Sequence, residues 1–545
     1  MVNVEKIKKL FKHIKSIEES NWNSNSLNRI LRSYRKENGQ LYRNDELVDI
    51  YNTLLNSKEI DKDQILEERL RLKPTRTNSG VAVVTVLTKP YPCPGKCIYC
   101  PNDTNMPKSY ISSEPGAQRA LKSKFDPYAQ VYNRVIALKK TGHNIQKIEL
   151  IVLGGSWSAY PLNYKIWFIS ECFRALNDLR ASSSQYIEPK ENSYIETAWE
   201  TLIDLQKKNQ TAYCRNIGLV FETRPDLITE NEVKNMRMLG ATKVQLGIQT
   251  LSDAVLQKNM IRRSIEDGKK AFMILRRAGF KIQAHWMLGL YYSTPDTDID
   301  GYRKLWKKDY CPDELKIYPT SVIKNTALHN LYMHGDYKPY TITQLTKILE
   351  RILPMTPRYC RISRVIRDIP SDEIEAGSNV TNLRQIVESN LEQKGVKIEE
   401  IRSREIKQRE VSTNDIEQEI IKYDTSVSRE FFISLRTISD DKICAFLRLS
   451  IPSSNLINKN YITELNGCSL IREIHVYGKV VGIAEKSEGH SQHLGLGKNL
   501  VKIAEKISKK NNIREIAVIS AIGTREYYKN LGFELKGMYM IKAIS

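Results

Sequence analysis

Short runs rich in β-branched residues recur at positions 81–87, 148–153, 217–221, 243–248, 281–287 and 315–318, with amphipathic stretches between several of them. A strand that is apolar on both faces must be covered on both faces. Strands separated by helices pair in parallel through crossovers. The clearest intervening helix, 265–278, is closed by Gly279, a residue suited to a left-handed cap. This alternation restricts residues 76–345 to a parallel α/β sheet or barrel, with six strands where a closed barrel has eight.

The remainder has a different texture. Residues 1–75 read as helical and polar. Residues 346–410 mix helix with basic loop and read as a connector. From about 411 the pattern becomes that of a compact α+β domain: runs at 431–435, 443–449 and 470–476, a glycine turn at 495–497, a helix to about 510, a strand at 515–520 and a last strand from Phe533. At 545 residues the chain has room for about three or four cores. No apolar run approaches the roughly 18–20 residues of a membrane helix. Met1 to Lys6 show no signal core, which reads as a cytoplasmic protein.

The net charge is +21. A polyanion is the implied partner, and nucleic acid is the foremost class. Up to Arg43 the chain has ten basic and four acidic residues, with Lys6, Lys8, Lys9, Lys12 and Lys15 first and Arg29, Arg32, Arg35 and Lys36 following at helical spacing. Either a solvated helix face or a phosphate-contacting surface satisfies that pattern.

Nine scattered cysteines in a chain of this size argue against a disulfide framework. Six are singletons, expected to be buried thiols. Cys93, Cys97 and Cys100 form the one tight group, C-x3-C-x2-C, directly after the first strand. Three thiolates can hold three irons of a cubane and leave the fourth open to a chelating ligand. Structural zinc needs a fourth ligand, and the next histidine along is His143. The expectation is an open-site [4Fe–4S] cluster.

This cluster, with an aromatic residue just before its last cysteine, resembles the radical S-adenosylmethionine (SAM) superfamily. There the open iron binds SAM, which is cleaved to methionine and a 5′-deoxyadenosyl radical. Gly154 and Gly155 resemble the family's glycine pair at the methionyl amine. Glu222, Arg224 and Gln249 stand at strand ends, where barrel sites are built, and are carried over as SAM contacts. In the C-terminal part, Gln492-His493-Leu494-Gly495-Leu496-Gly497 opens a helix between two strands. A helix N-terminus favours a pyrophosphate. The segment resembles the GNAT acetyltransferase loop that cradles CoA, with Tyr528 in the place of a tyrosine near the CoA sulfur.

The two units together resemble the family of Elongator catalytic subunits, which modify the wobble uridine of tRNA. The matching stretches include Arg76 to Val81, Phe125 to Tyr128, Glu222 to Asp226, Leu315 to Thr320, Arg367 to Pro370, Arg472 to Gly478 and Gln492 to Gly497. The short gap between the first two cysteines resembles that of the prokaryotic-type branch, and the resemblance implies action without obligate protein subunits.

The resemblance implies a partial (β/α)6 radical SAM barrel followed by an α+β GNAT domain. It implies acetyl-CoA held by Lys147, Glu473, Ile474, His475, Val476, Gln492, Gly495, Leu496, Gly497, Lys498 and Tyr528, and catalytic roles for Lys316, Tyr318 and Tyr528. A hydrogen leaves the acetyl methyl group, the carbon radical adds to C5 of the uridine, and thioester hydrolysis leaves 5-carboxymethyluridine. The tRNA anticodon stem-loop then explains the basic N-terminal segment, the 73–76 segment and the arginines between 351 and 367. Two alternatives are a protein lysine acetyltransferase with a structural cluster, using Glu473 as base, and a non-catalytic tRNA-binding module.

Overall fold

The computed structural model describes residues 4–23, 25–72, 80–191, 194–406, 411–477 and 495–544. Its first sheet contains β1 (Ala82–Leu87), β2 (Lys147–Leu153), β3 (Arg215–Thr223), β4 (Lys243–Gln249), β5 (Lys281–Leu288), β6 (Glu314–Pro319) and β7 (Arg361–Val365), in that spatial order. Every neighbouring pair is parallel, which makes an open half-barrel. Six strands coincide with the β-branched runs. The seventh lies within the segment expected to be a connector.

That seventh strand reads Arg-Ile-Ser-Arg-Val and buries only Ile362 and Val365. It is the sheet edge, so it needs little apolar surface, and its arginines find carboxylates. Arg361 Nε donates to Glu405 at 2.6 Å and Arg364 pairs with Asp368 at 2.9 Å. Arg358 reaches Glu399, Glu419 and Asp441, Arg367 reaches Glu114, and Arg351 lies 3.7 Å from Asp296. Of the 351–367 arginines expected at RNA phosphates, Arg358, Arg361 and Arg367 are thus engaged by carboxylates within the fold, whereas Arg351 and Arg364 keep 56% and 43% of their side chains exposed beside solvent-facing partners.

The second sheet has the order β8 (Ile416–Asp424), β9 (Ser428–Thr437), β10 (Ile443–Pro452), β11 (Cys468–Val476), β12 (Glu515–Val518), β14 (Tyr539–Ala543), β13 (Glu534–Lys536). Only the β11–β12 pair is parallel. β8, another edge strand, begins well before the first expected run. The helix Leu496–Lys510 packs on β10 and β11.

This sheet docks against the base of the half-barrel, where the parallel strands begin. Arg472, fully buried, donates to Asp313 at 2.7 and 2.8 Å and to Glu430 at 2.8 Å. Tyr539 OH donates to Ala278 O at 2.8 Å. Gly279 closes its helix at φ +79°, and a Cβ there would stand 2.3 Å from Leu470 Cδ2. The expected helix cap thus also admits the second domain.

The N-terminal helices Val4–Ser16, Ser26–Leu31, Asn44–Asn56 and Gln64–Leu70 share a separate core. Ile7, Leu10, Phe11 and Ile14 recur at helical spacing and are buried. Lys8 pairs with Glu59, Lys15 with Asp63 and Lys36 with Glu46. Lys9, Lys12, Arg29 and Arg32 stay exposed with no ion pair among the described residues. No described helix is long and apolar enough to cross a membrane.

Candidate active site

At the mouth of the half-barrel, where the strands end, the loop after β1 carries Cys93, Cys97 and Cys100, all partly exposed. The six other cysteines are buried, as expected. The cysteine loop is tight: Gly95 N donates to Cys93 Sγ at 3.4 Å, and Ser156 Oγ lies 3.7 Å from the same sulfur. A Cβ on Gly95 would meet Arg224 Nη1 at 2.2 Å, so glycine lets the guanidinium lie against the loop. Arg224 is held there by Asp226 and by Arg262 O.

Burial pushes the Cys97 thiol up and Cys100 up to about 12. Thiols raised in this way give up their protons only to a cationic guest, which then stabilises the thiolates. No three described His, Cys, Asp or Glu side chains converge on the position of one metal ion. A multi-iron cluster gives each thiolate its own iron, so convergence on one point is not needed. Beside the loop, Gly154 has φ +133° and a Cβ there would overlap Thr88 Oγ1 at 1.9 Å. Gly155 has φ +71°. Gly154 is buried against Thr88, while Gly155 leaves bare, partly exposed backbone one residue before Ser156, the residue that meets Cys93, which fits a chelating amino acid group. The donor set therefore fits an iron–sulfur cluster with SAM.

The lumen below is polar. Lys316 Nζ donates to Gln245 Oε1 at 2.6 Å, and His285 Nε2 shares that oxygen at 3.1 Å. Lysine can only donate, so the near atom of Gln245 is its oxygen and His285 Nε2 carries hydrogen. Burial, then Lys316, Arg367 and Arg364, hold His285 well below its usual pKa. The neutral ring leaves Nδ1 bare, 3.9 Å from Glu222 Oε1. Glu222 also accepts from Tyr110 OH at 3.2 Å. Burial pushes Lys316 down to about 8 and Tyr318 up to about 12. Gln249 takes φ +53° at the end of β4 and accepts from Arg263 at 3.1 Å.

The structure thus brings Glu222, Lys316 and Tyr318 into one lumen. It adds His285, which sequence reasoning missed, and fixes Gln245 at its centre. The available signal was spacing: Gln283 and His285 interrupt an apolar strand at every second residue.

A charged column continues to the base. Lys243 pairs with Glu149 at 2.9 Å and Glu314 at 3.5 Å, and Lys281 pairs with Glu314 at 3.2 Å and Glu473 at 2.6 Å. Glu473 also accepts from Arg448 Nε at 2.8 Å. Burial alone would raise its pKa, but Lys281 and Arg448 outweigh that and keep it ionised. Glu473 as general base is therefore corrected: its carboxylate is a link between the domains.

At that junction β11 and β12 pair only over Cys468–Ile471 and Glu515–Val518. β12 then ends, and residues 472–476 have no strand partner on that side among the described residues. Gly495 (φ +66°) caps the helix whose first turn contains Leu496, Gly497 and Lys498. A Cβ on Gly497 would stand 2.7 Å from Tyr527 OH and 3.7 Å from Val476 Cγ2. Tyr527 is the tyrosine that meets this turn. Tyr528 is buried, its ring edge-on to Phe533. Gln492 lies outside the described residues. His475 Nε2 is buried without a hydrogen-bond partner. Lys147 and Arg215, neighbours in the β2–β3 register, form no ion pair among the described residues.

Residues 91–299 match the Radical SAM superfamily model, and 312–393 match the Radical_SAM C-terminal domain. The tRNA uridine(34) acetyltransferase of Methanocaldococcus jannaschii is 37% identical over 502 residues, covering 88% of each chain. Human Elongator complex protein 3 is 31% identical over 504 residues, covering 88% of this chain and 87% of its own. The N-terminally truncated Elp3 of Methanocaldococcus infernus superposes with a TM-score of 0.71 at 32% identity, covering 85% of this chain and 99% of its own. With the cysteine loop at one end of the barrel and the parted strands at the other, these matches span both units, and the chain belongs to the radical SAM family of Elongator complex protein 3 and the tRNA uridine(34) acetyltransferases.

Proposed function

We propose that this enzyme modifies C5 of the wobble uridine of tRNA, drawing a carboxymethyl unit from acetyl-CoA. The observation that carries the reading is that one chain holds a three-cysteine loop at the mouth of the barrel and, at its base, an unpaired stretch of β11 beside a glycine-led helix N-terminus, with a polar lumen between them. Cys93, Cys97 and Cys100 would hold the iron–sulfur cluster, which with bound SAM would supply the one-electron chemistry needed to activate the acetyl methyl group. Gly154 and Gly155 present backbone to the methionyl group, Arg224 holds the cysteine loop, and Glu222 and Gln249 face the nucleoside side.

At the base, the free edge of residues 472–476 suits the amide-bearing arm of CoA. The helix N-terminus at Gly495 to Lys498 suits its pyrophosphate, and Lys147 and Arg215 add positive charge for the remaining phosphate. In the lumen, Lys316 and His285 can exchange protons with the base or the thioester near neutral pH. The engagement of Glu473 speaks against simple lysine acetylation, which needs a base to deprotonate an amine. Exposed Lys9, Lys12, Arg29 and Arg32 offer the N-terminal helices as a tRNA-binding segment.

The test is mass analysis of tRNA after anaerobic incubation with SAM, reductant and methyl-deuterated acetyl-CoA. The expected result is carboxymethyluridine together with deuterium in 5′-deoxyadenosine. Acetylated protein with unlabelled 5′-deoxyadenosine would sink the reading. Binding of tRNA should weaken steeply with salt, as phosphate contacts release counterions.

A further inference from the structure

Among the residues that follow β1 and β2, close in sequence to the cysteine loop, lies a cavity of about 190 Å³ lined by Lys89, Tyr91, Tyr160, Pro161, Asn163, Tyr164 and Tyr194. That volume is below the roughly 300–1,000 Å³ of clefts that take whole ligands, and suits one flat ring system. Its wall is a ladder of tyrosines. Tyr91 and Tyr160 lie 4.8 Å apart at 31°, and Tyr160 and Tyr164 lie 5.2 Å apart at 22°. Tyr194 also lines the cavity and rests edge-on against Trp167. Lys89 Nζ sits 5.2 Å from the Tyr164 ring centre and forms no ion pair among the described residues. No carboxylate lines the cavity among the described residues.

Two features separate this cavity from ordinary core packing. Tyr91 and Tyr194 are 37% and 42% exposed, so large aromatic surface faces water at the lip. The inner wall is rigid and tied to the reaction site: Tyr160 OH bonds Thr88 Oγ1 at 2.7 Å, donates to Lys89 O at 2.7 Å and contacts Gly154 O at 3.2 Å. A guest here is one side chain away from the glycine pair and two residues in sequence from Cys93.

Aromatic faces with a lone cation and no anion select a planar π-system attached to negative charge. Proteins hold unstacked nucleobases in this way, rings against the base and lysine toward the phosphate. We propose that this tyrosine pocket takes one unstacked nucleobase of the RNA substrate, a neighbour of the target nucleotide, with Lys89 drawn to its phosphate. The proposal rests on the RNA-modifying function above. It gives the pocket a purpose: a base at the centre of a half-barrel must leave its stack, and an adjacent base captured at the rim holds the strand open.

The experiment uses the full chain and a tRNA anticodon stem-loop with 2-aminopurine placed next to the target uridine. For the native protein, binding should quench the probe as it stacks. Tyr91→Ala combined with Tyr194→Ala should weaken stem-loop binding roughly tenfold or more and abolish the quench, since base–aromatic stacking contributes at that scale. Tyr91→Phe should restore both, because the ring and not the hydroxyl does the stacking. Lys89→Gln should weaken binding and flatten its salt dependence. SAM binding and the unfolding midpoint should stay unchanged in all variants. Unaltered affinity and quench in the double variant would overturn the pocket. Lost SAM binding with intact RNA affinity would also overturn it, assigning the cavity to the cofactor's adenine. A native protein that binds no stem-loop would instead refute the RNA function itself.

Discussion

At the base of the barrel, Asp313 lies fully buried between Arg472 at 2.7 Å and Arg448 at 3.5 Å. Nearer the mouth, Lys316 is largely buried with a neutral amide, Gln245, as its hydrogen-bond partner. The paired arginines hold Asp313 well below the usual carboxylate range against the effect of its burial, whereas burial draws Lys316 down to about 8. Buried charge matched at once by opposite charge fixes geometry. Buried charge that bonds a dipole and feels Glu222 only from a distance changes protonation within the working pH range. One column of polar side chains thus acts as a joint between domains at one end and as chemistry at the other.

The largest effect separating the two ends belongs to the mouth. Cys97→Ala should abolish iron–sulfur absorbance after anaerobic reconstitution, together with SAM cleavage, while leaving the unfolding midpoint of the apoprotein nearly unchanged. A large fall in that midpoint would mean the loop is structural. At the base, Arg472→Met leaves buried carboxylates short of a partner and should cost about 3–5 kcal/mol in denaturant unfolding. Loss of less than about 1 kcal/mol would break the contrast.

Lys316→Met tests the unmatched charge by its sign. Burial lowers the folded pKa from 10.5 to about 8. Between these values the unfolded chain binds more protons at this position than the folded one, so native stability rises with pH relative to the variant. The variant should be more stable at pH 7 by up to about 3 kcal/mol. That advantage should fade as pH rises through 8 and vanish near 10.5. A difference independent of pH would show that Lys316 stays charged. The smallest effect is steric: Gly279→Ala should cost about 1–3 kcal/mol, read from the unfolding midpoint, because a Cβ at φ +79° meets Leu470.

Much of the first sheet was legible because strands buried on both faces are written as continuous β-branched runs. β7 and β8 were not, since an edge strand needs one apolar row and can fill the other with paired arginine or glutamate. The cysteine loop was legible because metal ligation fixes spacing along the chain. Glu473 was misread as a base because a strand carboxylate looks the same whether it faces a substrate or, as here, Lys281 and Arg448 from other strands.

Sequence by itself determined the parallel sheet, the three-cysteine loop, the glycine turn before the last long helix and the family to which the chain belongs. All rest on local period, spacing or residue type. Tertiary structure alone decided which charges are neutralised. It placed Arg472 against Asp313, set Tyr527 against the glycine turn, and set His285 and Gln245 beside Lys316. Electrostatics depends on distance in space and on exclusion of water, and neither is encoded in the separation of two residues along the chain.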